Sequence, residues 1–267
     1  MAINHLLMQV KNGQKATNLN KKRMTIQGII FDLFDTLIYI EPSVLNSELD
    51  KMAAIAGVSG KVFRENWAPK SAQHRMEYFK GRLDLSGYFS AVLKEMGRTP
   101  EPQILANIIE VRLAMREHVR FFADTLPILD KLQREGYKLG LISNLGSLWG
   151  IVFEKLNFKK YFEVISLSYE VALAKPEPEI YQTTAQRLGC NPGEYMFIDD
   201  QQDYVLAAKK VGMTGIWLNR DGKVIKDSQH QITSLTGGRA SCSSQSSGRW
   251  SCPLLALGLQ AQRSILQ

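Results

Sequence analysis

No run of eighteen apolar residues occurs in this 267-residue sequence, which excludes an ordinary membrane-spanning helix. Cysteine is scarce. Cys190, Cys242 and Cys252 are too few to staple a chain of this length, and an odd number argues against a secreted disulfide scaffold. A reducing, cytoplasmic setting is expected. Acidic residues are missing from both ends. Residues 1–23 carry Lys11, Lys15, Lys21, Lys22 and Arg23, and residues 228–267 carry Arg239, Arg249 and Arg263, without one Asp or Glu. With those eight set aside, 25 of the 33 basic residues are left to face 26 acidic ones, so the net charge of +7 belongs to the ends. A folded cationic surface for nucleic acid is not expected, nor is a membrane partner.

What is present is a globular composition, 45% hydrophobic and 22% charged, which excludes disorder along the whole length. The ends differ from the middle. Residues 1–24 have weak periodicity and read as a disordered extension. Their freedom from acid leaves an organelle signal open, and Met24 directly precedes the first strand-like segment. Residues 227–267 include the serine-rich stretch from Ser241 to Ser251 and read as a disordered tail. Cys242 and Cys252 fall there without the partners a zinc site needs.

Between the ends, short apolar runs alternate with helical periodicity. Strands are expected at Gln27–Phe31, Tyr137–Ser143, Phe162–Leu167, Tyr195–Ile198 and Thr214–Leu218. Helices are expected at Thr125–Glu135, with Leu126, Leu129 and Leu132 on one face, at Pro178–Leu188 and at Asp203–Val211, each stopped by glycine. This repetition predicts an α/β fold, a Rossmann-like parallel sheet covered on both faces. The sheet domain is expected to comprise residues 25–40 and 121–226. Residues 41–120 show only helical spacing, as at Leu45, Leu49, Met52 and Ala56. Eighty residues far exceed what a crossover needs, so they read as a separate helical cap inserted after the first strand.

In an open parallel sheet, reactive groups collect beyond the carboxyl ends of the strands. The first strand here runs into Asp32, within Phe31-Asp32-Leu33-Phe34-Asp35-Thr36-Leu37. The second ends at Ser143-Asn144. After the third comes Ala174-Lys175-Pro176-Glu177-Pro178. The fourth ends at Asp199-Asp200, with Asp203 close behind. Four such sites, in this order over residues 27–220, resemble the haloacid dehalogenase (HAD) superfamily of hydrolases. The resemblance implies a HAD-like core with Asp32 as nucleophile, followed by the matching Thr36 and Leu37. It implies Ser143 and Lys175 as catalytic, phosphate-holding residues, with Asn144 beside them. It also implies a Mg²⁺ site formed by Asp32, the Phe34 carbonyl, Asp199 and Asp203, with Asp200 as the competing candidate. A small phosphorylated metabolite is the expected substrate.

The chemistry agrees independently. A carboxylate attacks only an electrophile that is held in line and has its charge offset. A phosphoryl group needs donors and cations around its oxygens. Crowded carboxylates need a hard cation, for which Mg²⁺ is suited. Read alone, Ser143 and Asp200 are also good helix caps and Asn144 a turn residue. His74 and His118 have no partner set, and Trp67, Tyr78 and Phe79 read as packing residues of the inserted helices.

The departure is Phe34. Phosphatases of this family usually carry there an aspartate that protonates the leaving oxygen and then activates water. The dehalogenase branch has an aromatic residue, because halide leaves without a proton. Tyr181 also fits the dehalogenase pattern, and Arg64 and Arg75 are candidates for its carboxylate-binding arginine. Against dehalogenation stand the acids Asp199, Asp200 and Asp203, which make little sense without a cation. Asp35 is a candidate substitute for the missing acid. The expected function is therefore Mg²⁺-dependent phosphatase chemistry through an aspartyl-phosphate. A metal-independent 2-haloacid dehalogenase is the alternative, and a non-catalytic phosphate- or partner-binding relative the second alternative. Nothing in the sequence sets the oligomeric state.

Overall fold

The computed structural model describes residues 25–67, 72–149, 156–220 and 231–236, together with Ile3, Leu7 and Val152. The serine-rich stretch, Cys242 and Cys252 lie outside the described residues. Among the described residues, no helix is long and apolar enough to cross a membrane.

A six-stranded parallel sheet forms the core. Its strands are β1 (Gly28–Phe31), β4 (Lys138–Ser143), β5 (Val164–Leu167), β6 (Tyr195–Asp199), β7 (Thr214–Leu218) and β8 (Gln231–Ile232), in the spatial order β5-β4-β1-β6-β7-β8. β1 and β6 are buried at every position, as their uninterrupted sequences GIIF and YMFID require of strands covered on both faces. The sheet is tight at Gly28, where a Cβ would stand 2.3 Å from the Lys138 carbonyl oxygen. β1 lies at the centre, with Phe31 opposite Leu141 of β4 and Ile198 of β6. The chain leaving β1 therefore emerges where the strand order reverses, between the carboxyl ends of β4 and β6, and such a crevice is where ligands bind in open sheets.

Two further strands, β2 (Ile38–Ile40) and β3 (Val119–Phe121), form a separate antiparallel ribbon. Among the described residues, five α-helices run between them: α1 (Pro42–Ile55), α2 (Gly60–Glu65), α3 (Ala72–Phe79), α4 (Leu85–Glu95) and α5 (Pro102–Ala114). Ser59 and Asp84 begin two of them by accepting the Val62 and Gly87 N–H groups. Leu49, Met52, Phe63, Phe89, Val92 and Ile108 bury the inward faces. The inserted residues are helical, and the boundary placed at 120 falls inside β3. Three-residue strands carry too little alternation to be read from sequence.

Among the described residues, the helices that cover the sheet are α6 (Thr125–Arg134), α8 (Pro178–Arg187) and α9 (Gln202–Lys210), with the short α7 (Ser168–Val171) after β5. On α6, Ile128, Leu129 and Leu132 are buried and Leu126 is exposed, a correction to the expected face. A second correction concerns the tails. β8 pairs with β7 and buries Ile232, and Leu235 is buried beyond it, so order extends past the expected limit at 226. Ile3 and Leu7, expected in a disordered extension, are buried in the same core. The reason is tertiary: Asn219 N–H bonds the Ile232 carbonyl, and Leu235 N–H bonds Asp124 Oδ2. Neither partner is visible from a local pattern.

Candidate active site

The carboxyl edge of the sheet carries the charge. Asp32 follows β1 and is pinned by its own N–H to the Ile198 carbonyl at 2.9 Å. Asp199 ends β6 and is fully buried, and Ser143 ends β4, also buried. Lys175, 1% exposed, reaches from the loop before α8 and donates to Asp32 Oδ1 at 2.5 Å and Asp199 Oδ2 at 2.7 Å. The remaining Asp199 oxygen accepts the Gln201 N–H at 2.7 Å. A buried lysine between two buried carboxylates leaves one negative charge over, before any further acid is counted.

Asp200 supplies that further acid. Oxygens of Asp32, Asp199 and Asp200 all lie within 4.8 Å of one another. Among the described residues, Asp200 Oδ1 is buried and accepts no hydrogen bond, while the Asp200 carbonyl is fixed by the Trp217 indole N–H at 2.8 Å. Burial raises Asp32 to about 7; Lys175 opposes the rise and Asp199 adds to it. Burial, followed by the charges of Asp199, Asp35 and Asp32, pushes Asp200 well above the ordinary carboxylate range. Burial would lower Lys175, but Asp199 and Asp32 outweigh it and hold the ammonium above its ordinary value. With Asp199 engaged on both oxygens, Asp32 and the unpartnered Asp200 oxygen are the groups that fit a hard, oxygen-seeking divalent cation.

This corrects the expectation for Asp203, which is exposed on the first turn of α9 and outside the carboxylate group. A strand-end pair points one acid into the lysine and the next toward the crevice, whereas a residue one helical turn on faces outward. Asn144 also acts differently from a phosphate ligand. Its Oδ1 accepts the Lys175 N–H and its Nδ2 donates to the Lys175 carbonyl, both at 2.8 Å. It clamps the lysine-bearing loop, and Nδ2 also reaches the Tyr204 hydroxyl at 3.3 Å. Tyr181 is fully buried against Phe197, with its hydroxyl on the Tyr204 carbonyl at 3.0 Å, and so does not face a substrate.

The loop after Asp32 turns sharply. Asp35 has φ +59° and its N–H bonds the Ile38 carbonyl at 2.7 Å. Thr125 Oγ1 donates to the Leu37 carbonyl at 2.6 Å, and Arg220 donates to the Thr36 carbonyl at 2.7 Å. Arg220 is in turn paired with Asp124 at 3.0 Å. The charge of Asp35 bears on both Asp200 and Arg220. The Phe34 side chain packs toward the chain beyond β4. Its ring meets Trp149, beyond β4, edge-on at 4.8 Å. The buried Arg112 of α5 lies 4.6 Å from the Trp149 ring and 5.8 Å from Trp67.

The insertion also touches this edge. Tyr78 of α3 occupies the space above Gly146, where a Cβ would come within 1.9 Å of its ring. Lys80 pairs with Glu177 in the Lys175 loop. Arg75 lies over Phe79 at 5.2 Å, and its charge reaches Tyr204. Arg64 instead serves the insertion itself, on Asp50 and the Asn46 carbonyl, and His74 faces Glu95. Arg112, Trp149, Arg220 and Asp124 are structural partners that sequence reading missed. Each pairs with a residue distant in the chain, so no spacing signals it.

A central strand running into an acid, a lysine bridging it to a second strand-end acid, and a helical insertion between β2 and β3 together form a buried, charged site at the carboxyl edge of an α/β sheet. The chain belongs to the haloacid dehalogenase-like hydrolase family, whose pattern matches residues 26–212. It is 26% identical over 203 residues to the glyceraldehyde 3-phosphate phosphatase of Methanopyrus kandleri, covering 73% of this chain and 84% of that one. It is likewise 26% identical over 210 residues to the phosphoglycolate phosphatase of Salmonella typhi, covering 74% and 82%. The crystal structure of a HAD phosphatase from Thermococcus onnurineus superposes with a TM-score of 0.56 at 26% identity, over 78% of this chain and 94% of that one.

Proposed function

We propose that this hydrolase is a Mg²⁺-dependent phosphatase acting on a small phosphorylated metabolite through an aspartyl-phosphate on Asp32. The observation that carries the reading is the group of Asp32, Asp199 and Asp200 oxygens within 4.8 Å, two of which share the single Lys175 ammonium. Such crowding of acids calls for a divalent cation, and the curated relatives are phosphatases.

Asp32 and Asp200 would hold the ion, with the Phe34 carbonyl as the further ligand that the family pattern implies. When bound, Mg²⁺ supplies charge neutralisation for the phosphoryl oxygens. The chain's own residues do the rest. Asp32 is anchored through its backbone and lies beyond β1 with its carboxylate aligned by Lys175. Lys175 stays charged and lowers the repulsion between Asp32 and an incoming phosphate. Ser143 offers a hydroxyl from the end of β4. Asn144 fixes the Lys175 loop by holding both its N–H and its carbonyl. The insertion, fastened at Tyr78 and Lys80, acts as a cap that excludes bulk water.

Dehalogenation is the second reading, because Phe34 suits a leaving group that needs no proton. One experiment separates the two. Phosphate release from an aryl phosphate is measured with and without Mg²⁺, beside halide release from a 2-halo acid without metal, for the chain and for Asp32→Asn. Metal-dependent phosphate release that vanishes in the variant is expected. Metal-independent halide release with no phosphate release refutes the phosphatase reading.

A further inference from the structure

The turn that follows Asp32 is gripped from two sides. Asp35 takes φ +59°, in the left-handed region that residues with a side chain seldom adopt, and such a backbone lasts only where its surroundings fix it. The Leu37 carbonyl accepts the Thr125 hydroxyl at 2.6 Å and the Phe122 N–H at 3.2 Å. The Thr36 carbonyl accepts Arg220 Nη2 at 2.7 Å. The same guanidinium holds Asp124, through Nη2 to Oδ1 at 3.0 Å and Nη1 to Oδ2 at 3.3 Å, and lies 3.7 Å over the Phe122 ring. Arg220 stands just after β7, beyond the residues that the family pattern matches.

We propose that Arg220 is a positioning residue for Asp32, and that residues 231–236 brace it. The role rests on Asp32 being the nucleophile of the reading above, and it is the same whichever bond Asp32 attacks. A planar guanidinium reaches a carboxylate and a carbonyl at once in a fixed fork, which an ammonium does not. Arg220 is itself held on two sides. Its neighbour Asn219 donates its N–H to the Ile232 carbonyl at 2.8 Å. Its partner Asp124 accepts the Leu235 N–H on Oδ2, also at 2.8 Å. Ile232 and Leu235 are fully buried, so the brace is packed as well as hydrogen-bonded. The supporting path thus runs from β8 through Asp124 and Arg220 to the Thr36 carbonyl, four residues after Asp32. In-line attack tolerates little misplacement of the nucleophile, and about 1 Å can cost about 10²-fold in rate. The contacts of Arg220 are with the backbone of the turn, with Asp124 and with Phe122. Its loss should therefore slow the chemical step and leave substrate binding alone.

The test uses the full chain and the variants Arg220→Met, Arg220→Lys and Ile232→Asp, with two readouts. The first is hydrogen exchange by mass spectrometry, comparing a peptide over residues 32–38 with one over β4. In Arg220→Met the first peptide is expected to exchange about tenfold faster or more, the worth of one hydrogen bond to a charged group, while β4 keeps its protection. Ile232→Asp is expected to loosen the same peptide, and Arg220→Lys to fall between Arg220→Met and the unaltered chain. The second readout is 4-nitrophenyl phosphate hydrolysis with Mg²⁺. For Arg220→Met, kcat is expected to fall about 10–100-fold with KM within about threefold. Exchange over residues 32–38 that is unchanged, or that rises equally in β4 for both Arg220 variants, overturns the proposal. So does a kcat of Arg220→Met within about twofold of the unaltered chain. An unchanged turn in Ile232→Asp removes residues 231–236 from the support. Absence of phosphate release by the unaltered chain refutes the phosphatase reading instead, and the exchange comparison still decides whether Arg220 holds the turn.

Discussion

The β6 side of the crevice and the β4 side differ in what holds them together. On the β6 side, Lys175, Asp32, Asp199 and Asp200 are bound by charge in a buried setting. On the β4 side, Phe34, Trp149, Arg112 and Trp67 are held by ring contacts and by a cation over an indole. A buried charge group is fragile to the loss of one partner, because the other is left uncompensated. An aromatic stack loses only the contact that is removed. The first side should therefore respond steeply to single substitutions, to metal and to pH, and the second weakly.

Lys175→Met is the severest break. It leaves Asp32 and Asp199 buried without their cation, and a loss of about 3–5 kcal/mol is expected from urea unfolding in the absence of divalent ions. The loss should also depend on pH. Asp32 is raised in the folded state to about 7 from an ordinary 3.8. A raised carboxyl binds more protons folded than unfolded, so its contribution is present below 3.8 and is lost as pH rises through about 7. Without Lys175 the rise is larger, and the deficit of the variant is greater at pH 8 than at pH 5. A deficit below about 1 kcal/mol at pH 8 would show that the lysine is not the keystone of this side.

Asp200→Asn against Asp203→Asn is the next comparison. Asp200 has a buried oxygen without a hydrogen bond among the described residues, and Asp203 is exposed. Calorimetric Mg²⁺ affinity is expected to fall by about 100-fold or more in the first variant, beyond the roughly 10–100-fold typical of outer-shell partners. The second variant should stay within about threefold, the helix-terminus charge being the only interaction lost. The reverse result would return the metal site to the arrangement read from sequence.

These residues also show what a sequence can carry. Asp32, Ser143, Lys175 and Asp199 were legible because each ends a buried strand or opens a helix, and topology alone sends such positions to one edge. The choice between Asp200 and Asp203 was not legible. It depends on how β6 hands over to α9 and on Trp217 fixing the Asp200 carbonyl, a partner seventeen residues away. Asn144 was legible as a site residue but not as a clamp, since its partner is the backbone of a loop thirty-one residues on. The ribbon of β2 and β3 and the two residues of β8 were missed because short strands take their order from the neighbours they pair with.

The β4 side offers the gentlest break. Edge-to-face aromatic pairs contribute about 0.5–1.5 kcal/mol beyond the area they bury. A double-mutant cycle of Phe34→Leu and Trp149→Leu is therefore expected to give a coupling energy in that range by urea unfolding. The coupling should be the same at pH 5 and pH 8, because neither ring titrates. It should also be indifferent to Mg²⁺, because neither side chain offers the ion a ligand. Arg112 sharpens the point: its guanidinium stays charged across this range, so the cation over Trp149 persists at both pH values. A coupling that changed with pH or with metal would mean that Phe34 is tied into the carboxylate group after all, and the two sides of Asp32 would have to be treated as one electrostatic unit.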